Sequence, residues 1–119
     1  MAVLDTAIHA AVAGRLRLWR HSETMRGGWV YILTNRPNGT LYVGVTSDLA
    51  RRVWEHREGV VEGFTKRYGL KTLVHAEFHE DILAAIQQEK TLKHWTRAWK
   101  TELILAANPA WDDLSDRLA

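Results

Sequence analysis

Five side chains between positions 31 and 89 have types that could act together on a phosphate ester: Tyr31, Tyr42, Arg52, His56 and Glu89. A histidine exchanges protons near neutral pH, and an arginine is a permanently charged, forked ligand for phosphate oxygens. Arg52 and His56 are four residues apart, which places them one turn apart on the same side of a helix. If the fold brings the tyrosines to that side, the set suits chemistry on a phosphodiester.

A β-hairpin is predicted to carry the two tyrosines. Residues 29–34 and 41–45 are apolar, β-branched or aromatic, and the sequence RPNG between them favours a turn. With a four-residue loop, Tyr31 pairs with Gly44 and lies diagonally across from Tyr42 on one face of the sheet. Gly44 then leaves room beside the phenols. Taken alone, the pattern favours ordinary strand tyrosines whose hydroxyls lie at the edge of a core.

The segment after the hairpin predicts a helix over residues 48–58. It opens after a cluster of residues that cap helix N-termini, and it stops at a glycine. Leu49 and Val53 define its buried stripe. Arg52 and His56 lie along the border of that stripe, where both can reach the hairpin.

A third strand is predicted over residues 72–78, followed by a helical region over about 81–107 that an Asn-Pro pair stops. Thr96 is a candidate N-cap within that region, so we expect two helices that meet near Trp95. Trp95 and Trp99 are one turn apart. We expect them to pack in the core, although such a pair could also form a stacking platform for bases.

Glu89 follows Ile82 and Ile86 on the apolar side of the predicted helix. A carboxylate that faces a core is costly unless it is paired or holds a metal. One alternative is a buried ion pair with Arg52 or Lys93. The other is a site for Mg²⁺ or Mn²⁺, which keep several waters and take further oxygens from substrate phosphates.

The composition is that of one globular domain, since 119 residues can bury a single core. The chain has no cysteine, which excludes disulfides and thiolate metal sites. No apolar run approaches the roughly 20 residues of a membrane span, so we expect a cytoplasmic protein without a membrane partner. The net charge is +2 and the pI about 9.2, with the charges unevenly placed, which is compatible with a polyanionic partner.

Residues 1–28 differ from the rest and are interpreted as an N-terminal appendage. Part of this segment could form an amphipathic helix, and a frayed terminus is the favoured alternative. The sequence MRGG at 25–28 is typical of a flexible joint.

An ordered set of motifs resembles the GIY-YIG nuclease family. The motifs are VYI at 30–32, YVG at 42–44, SDLARRVWEH at 47–56, GFTKRYG at 63–69, QQEKTLKHW at 87–95 and NPAWDDL at 108–114. Within that family, the sequence most resembles the small stand-alone bacterial proteins of the URI-domain, excision-nuclease-like type. The likeness covers residues 29–114, and leaves out the appendage and a C-terminal tail at 115–119.

The resemblance implies an α+β fold, in which a three-stranded antiparallel sheet is flanked by helices, and one divalent metal ion, Mg²⁺ or Mn²⁺. Tyr31 and Tyr42 fall on the tyrosines of the two name-giving motifs, and Arg52 falls on the catalytic arginine. His56 falls where many members have histidine, and Glu89 falls on the metal-binding glutamate. These five are the expected catalytic and metal-binding residues.

Roles follow from what phosphodiester hydrolysis requires. A water must lose a proton and the transition state gains negative charge. We assign Tyr42 to accept that proton with help from His56, Arg52 to the scissile phosphate, and Glu89 to the metal beside the leaving oxygen. Tyr31 would position water or tune Tyr42. A free phenol has a pKa near 10, so Arg52 and the metal would have to lower the pKa of Tyr42.

Three further cations are assigned to nucleic-acid binding. Lys66 and Arg67, in a predicted loop at 59–69, would hold flanking phosphates. Arg51 points away from the buried stripe and would make at most a peripheral phosphate contact, a solvated surface being the favoured reading for it.

The leading function is a metal-dependent endonuclease in repair, recombination or turnover, with DNA favoured over RNA. The alternative is a binding module that keeps the fold without cutting. With no specificity domain visible, selectivity would come from substrate structure or from a targeting partner protein.

Overall fold

The computed structural model describes residues 27–60 and 62–118. Its elements, in chain order, are strands β1 (Gly28–Thr34) and β2 (Leu41–Thr46), helices α1 (Leu49–Glu58) and α2 (Phe64–Tyr68), strand β3 (Thr72–His79), helices α3 (Ile82–His94) and α4 (Arg97–Ala107), and a 3-10 helix (Leu114–Arg117). The predicted α+β fold is confirmed. Residues 1–26 lie outside the described residues, and the appendage predicted over 1–28 remains a prediction.

The sheet is antiparallel, with strand order β2-β1-β3. All seven residues of β1, the central strand, are buried. Tyr31 pairs with Gly44 and Leu33 with Tyr42, so the predicted hairpin register is confirmed. Two contacts fix the turn: the Asn35 side chain accepts a hydrogen bond from the Thr40 amide at 3.1 Å, and the Gly39 amide donates to the carbonyl of Arg36 at 2.9 Å.

The first strand begins at Gly28, one residue earlier than predicted. Gly28 and the preceding Gly27 both lie close to neighbouring side chains. A Cβ atom on Gly27 would lie 2.4 Å from the ring of Phe78, and one on Gly28 would lie 2.3 Å from Ile82. Real Cβ atoms do not approach other atoms so closely. For these two positions the prediction of a flexible joint is wrong, because the glycines allow close approach of the backbone to neighbouring side chains.

The helix boundaries follow local capping. Asp48 accepts a hydrogen bond from the Arg51 amide at 3.2 Å at the start of α1, and Gly59 ends that helix with φ of 72°. The helical region after β3 breaks at Trp95, and Thr96 caps α4 as predicted. The segment 59–69 was predicted as a loop, but it contains the short helix α2.

Two tryptophans differ in how they pack. Trp29 is fully buried, with its ring 5.2 Å from that of Phe78. Trp99, which we expected in the core, is 48% exposed and meets the half-buried Trp95 edge-on at 5.5 Å. This prediction is wrong because the inward positions of α4 are occupied by Leu103 and Ile104.

A buried polar cluster lies on β3. The two carboxylate oxygens of Glu77 lie 2.8 Å from Nε2 of His75 and 2.8 Å from Nε2 of His79. Burial raises the pKa of the Glu77 carboxyl, but the hydrogen bonds from the two histidines outweigh that effect and hold it at about 2. The cluster therefore keeps a buried carboxylate ionised.

Asn108, which follows α4, has a structural role. Its side chain donates hydrogen bonds to the carbonyls of Val74 and Asp112 and accepts one from the Asp112 amide.

In the part of the chain that the structure describes, no helix is long and apolar enough to cross a membrane.

Candidate active site

A buried chain of hydrogen bonds joins β1, α1 and α2. Nε2 of His56 lies 3.0 Å from the hydroxyl of Tyr31, and Nδ1 of the same ring lies 2.9 Å from the hydroxyl of Thr65. His56 is only 2% exposed, so it lies deeper than the stripe border where we expected it. Both ring nitrogens have partners, and this fixes the orientation of the imidazole.

The surroundings of these hydrogen bonds keep the two titratable groups, Tyr31 and His56, neutral at pH 7. Burial raises the pKa of Tyr31 to about 12, although a hydrogen bond from Arg52 works against it. Burial also lowers the pKa of His56, and the nearby charge of Arg52 lowers it further. A neutral imidazole with a hydrogen-bonded neutral phenol is competent to receive a proton.

Tyr42 lies beside this pair on the same face of the sheet. Its ring centroid is 6.3 Å from that of Tyr31 and 5.6 Å from that of His56. Gly44 makes room for this arrangement, because a Cβ atom at that position would lie 2.5 Å from the Tyr31 hydroxyl. The predicted room beside the phenols is therefore filled by the Tyr31 ring itself.

The two consecutive arginines of α1 have different surroundings. The Arg52 side chain is 36% exposed and pairs with Glu55 at 3.2 Å, and it works against the raised pKa of the Tyr31 hydroxyl. The Arg51 side chain is 75% exposed and lies 3.5 Å from Glu55. Both line an open depression that includes Asp48 at the start of the helix. A phosphate in this depression could contact both arginines, but of the two it is Arg52 that lowers the pKa of Tyr31 against the effect of burial.

Glu89 lies on the buried face of α3, between Ala85 and Leu92. Its side chain is 11% exposed and forms an ion pair with Lys93 at 2.5 Å. The hydrogen bond in this ion pair raises the pKa of Lys93. Lys93 was one of the two partners proposed from the sequence, whereas Arg52 pairs with Glu55 instead.

Glu89 is the carboxylate at this site that could bind a divalent metal ion. The described residues hold no group of three or more His, Cys, Asp or Glu side chains arranged for a metal. A single buried carboxylate is nevertheless what a hydrated Mg²⁺ or Mn²⁺ needs from a protein when substrate phosphates supply further oxygens. Lys93, with a half-exposed side chain, could move aside from Glu89.

Lys66 and Arg67 lie at the edge of the site, on α2. Both are exposed, and Lys66 pairs with Glu62 at 2.8 Å. An open depression is lined by these two cations together with Glu62 and Gly63. The cations are therefore available to solvent on the helix that holds the partner of His56.

A family model described as the GIY-YIG catalytic domain matches residues 27–102. The chain belongs to the GIY-YIG family. The resemblance inferred from the motifs is thereby confirmed, and with it membership of a nuclease family.

Relatives of this GIY-YIG chain carry the name UPF0213 protein. One from Natronomonas pharaonis is 37% identical over 76 residues, covering 64% of this chain and 88% of that protein. Another, from Desulfotalea psychrophila, is 30% identical over 86 residues, covering 71% and 78%. The solution NMR structure of the UPF0213 protein from Bacillus halodurans is 28% identical, covers 73% of this chain and 92% of that one, and superposes with a TM-score of 0.47. These names specify no reaction.

Within the GIY-YIG domain, the structure brings together four of the residues named from the sequence: Tyr31, Tyr42, Arg52 and His56. Glu89 pairs with Lys93, and the three cations assigned to binding are exposed on the surface. Thr65 was missed. It stands within the motif GFTKRYG, but a hydroxyl that contacts a histidine nine positions earlier leaves no periodic signal.

Proposed function

We propose that this protein is a metal-dependent endonuclease that hydrolyses phosphodiester bonds in nucleic acid, with DNA favoured over RNA, in repair, recombination or turnover. The observation that carries the proposal is the buried chain from Tyr31 through His56 to Thr65, with Arg52 beside it. A binding module needs exposed cations, but it has no need of a neutral imidazole held between two hydroxyls.

The proton path begins at Tyr31. If Nδ1–H of His56 donates to Thr65, then Nε2 is free to accept the phenolic proton of Tyr31. The phenol takes a proton from the attacking water as it gives its own to His56, so no free phenolate has to form. This matters because the pKa of Tyr31 is about 12. His56, whose pKa is lowered, then returns the proton through the Tyr31 hydroxyl, and the leaving oxygen ends the reaction protonated.

This path changes one assignment made from the sequence. The hydrogen bond of His56 goes to Tyr31 and not to Tyr42, so we give Tyr31 the relay and Tyr42 the positioning of the water. Arg52 holds the non-bridging oxygens of the scissile phosphate and offsets the negative charge of the transition state. The water oxygen bonds to phosphorus, and the bond from phosphorus to the leaving oxygen breaks.

Glu89 would hold the divalent ion, Mg²⁺ or Mn²⁺. When bound, such an ion supplies positive charge that stabilises the leaving oxygen. Lys93 would remain nearby as a second cation at the edge of the substrate.

The test is a cleavage assay on end-labelled single-stranded, duplex and branched DNA and on RNA, with Mg²⁺, Mn²⁺ or EDTA. Tyr31→Phe, which removes only the hydroxyl, is purified in parallel to exclude a contaminating nuclease. The expected result is metal-dependent internal cleavage by the native chain, severely reduced in the variant. Binding without cleavage under all conditions would support the non-cleaving module, and cleavage that survives in Tyr31→Phe would refute the proton path.

A further inference from the structure

Helix α2 presents a pair of exposed aromatic rings. Phe64 and Tyr68 are one helical turn apart, with ring centroids 4.8 Å from each other. They remain 48% and 50% exposed, respectively. Single exposed apolar side chains are common on protein surfaces, but two touching aromatic rings form a small apolar patch. Such a patch offers the flat faces on which other rings can stack.

The same short helix also carries two exposed cations. Lys66 and Arg67 lie between Phe64 and Tyr68 in the same short helix, and both are exposed. A helix that carries both exposed aromatic rings and exposed cations suits a strand whose bases are unpaired, because such a strand offers both π-faces and phosphates. A duplex hides its base faces within the stack and offers mainly phosphates.

The aromatic pair is held in a fixed relation to the candidate active site. Thr65, adjacent to Phe64 in sequence, is buried and hydrogen-bonds His56 at 2.9 Å. Its carbonyl also accepts a hydrogen bond from the amide of Leu70 at 2.9 Å, and Leu70 is fully buried. The inner side of α2 is therefore anchored in the site, while its outer side carries the rings.

We propose that Phe64 and Tyr68 form a stacking platform for unpaired nucleotides, so that the protein binds and cuts at or beside a single-stranded segment. This inference rests on the proposed function, whose substrate class it names. Stacking of a base on an aromatic side chain contributes about 1–3 kcal/mol, which is about 5- to 150-fold in affinity per base.

The chain offers a matched control in Trp99. Its exposed fraction, 48%, equals that of Phe64, and it also contacts a second aromatic ring. It differs in lying on α4, and its contact with Trp95 is edge-on. The sequence alone drew attention to Trp95 and Trp99 as a possible platform, so the control also tests the rival location.

The experiment measures binding by fluorescence anisotropy in EDTA, with the full chain. The probes are a labelled oligo-deoxythymidine strand and a labelled blunt duplex of the same length. The variants are Phe64→Ala/Tyr68→Ala, Phe64→Leu/Tyr68→Leu and Trp99→Ala. The leucine pair keeps apolar volume without aromatic faces, so it separates stacking from support of α2. Circular dichroism checks that each variant is folded.

Both double variants should bind the single strand at least about tenfold more weakly and the duplex within about twofold of the native chain. Trp99→Ala should bind both probes as the native chain does. The inference is overturned if the leucine pair binds the single strand normally, if both probes lose affinity equally, or if only Trp99→Ala loses affinity. It is also overturned if the native chain binds no single strand.

A parallel cleavage assay with Mn²⁺ separates this inference from the proposed function. If the native protein cleaves and the aromatic variants bind the single strand normally, the stacking platform is refuted and the proposed nuclease function stands. If single-strand binding depends on Phe64 and Tyr68 but the native protein cleaves no substrate, the proposed nuclease function is refuted and the stacking platform stands.

Discussion

The adjacent arginines of α1 allow a comparison in which one residue serves as the control for the next. Successive residues of a helix differ in direction by about 100°. Arg52 is turned toward Tyr31, whereas Arg51 has a 75% exposed side chain. Replacing each by alanine removes the same charge from the same helix. The two variants should therefore differ only in what the guanidinium group reaches.

The expected loss for Arg52→Ala follows from two contributions. Removing a preorganised donor from a developing negative charge typically costs about 10²–10³ in kcat. Because the Arg52 side chain is 36% exposed and thus partly screened by water, we place the loss near the lower limit, at about a hundredfold. In addition, the hydrogen bond that works against the high pKa of Tyr31 disappears, and this makes the proton relay harder.

The expected change for Arg51→Ala is much smaller. An exposed charge can give up at most one phosphate contact, which would weaken binding and reduce the salt slope by about one unit. Its kcat should stay within about threefold of the native value. Neither variant should lose much stability, since partly exposed pairs such as those with Glu55 contribute about 0–1 kcal/mol.

The assay is steady-state cleavage of a labelled substrate with Mg²⁺ and with Mn²⁺, from which kcat and KM are obtained separately. Arg52→Lys provides an intermediate case that keeps the charge and loses the fork. Thermal denaturation accompanies each variant. Equal losses of kcat for the two alanine variants would refute the orientation of α1 on which the candidate site depends.

Four other perturbations test separate parts of the molecule. Replacing Lys66 and Arg67 together by glutamine should weaken binding and flatten its salt dependence by up to about two units, with kcat at saturating substrate unchanged. Glu89→Gln should lower metal-dependent cleavage by orders of magnitude while metal-free binding survives; a destabilised variant with normal turnover per folded molecule would mark a purely structural ion pair. Thr65→Val should lower kcat by about three- to tenfold and Thr65→Ser should restore it, unless the hydroxyl has no positioning role. Glu77→Gln should lower the unfolding free energy at neutral pH by up to about 3 kcal/mol, from a folded-state pKa of about 2 against an ordinary 4.5. Because that pKa is depressed, the stabilisation is present above about pH 4.5 and is lost as pH falls through 2, so the native and variant denaturation curves should converge in acid.

The parts of the fold that local rules determine could be predicted from the sequence. A four-residue turn leaves only one hairpin register, and this register decided that Tyr31 and Tyr42 share a face. Capping residues likewise marked the ends of α1 and the break between α3 and α4. In each case the information lies within a few neighbouring residues.

The parts that depend on tertiary contacts were missed or misjudged. The hydrogen bond of Thr65 to His56 exists because α2 packs against α1, which the sequence did not indicate. The exposure of Trp99 depends on which face of α4 meets the core. The hydrogen bonds of His75 and His79 to Glu77 were not predicted either, because alternate positions on a strand indicate a shared face and not a hydrogen bond. Side-chain pairing across distant elements is a property of packing, which a single sequence does not encode locally.

Because Tyr31 lies against Gly44, the two name-giving motifs of this family depend on each other sterically in this chain. The first motif supplies a ring, and the second supplies both another ring and the vacancy into which the first ring fits. A side chain at position 44 would displace the Tyr31 hydroxyl from its place beside His56, so this hydrogen bond depends on a glycine that takes no part in it. A substitution at position 44 would therefore change the geometry of the neighbouring strand's tyrosine without touching that tyrosine's own codon.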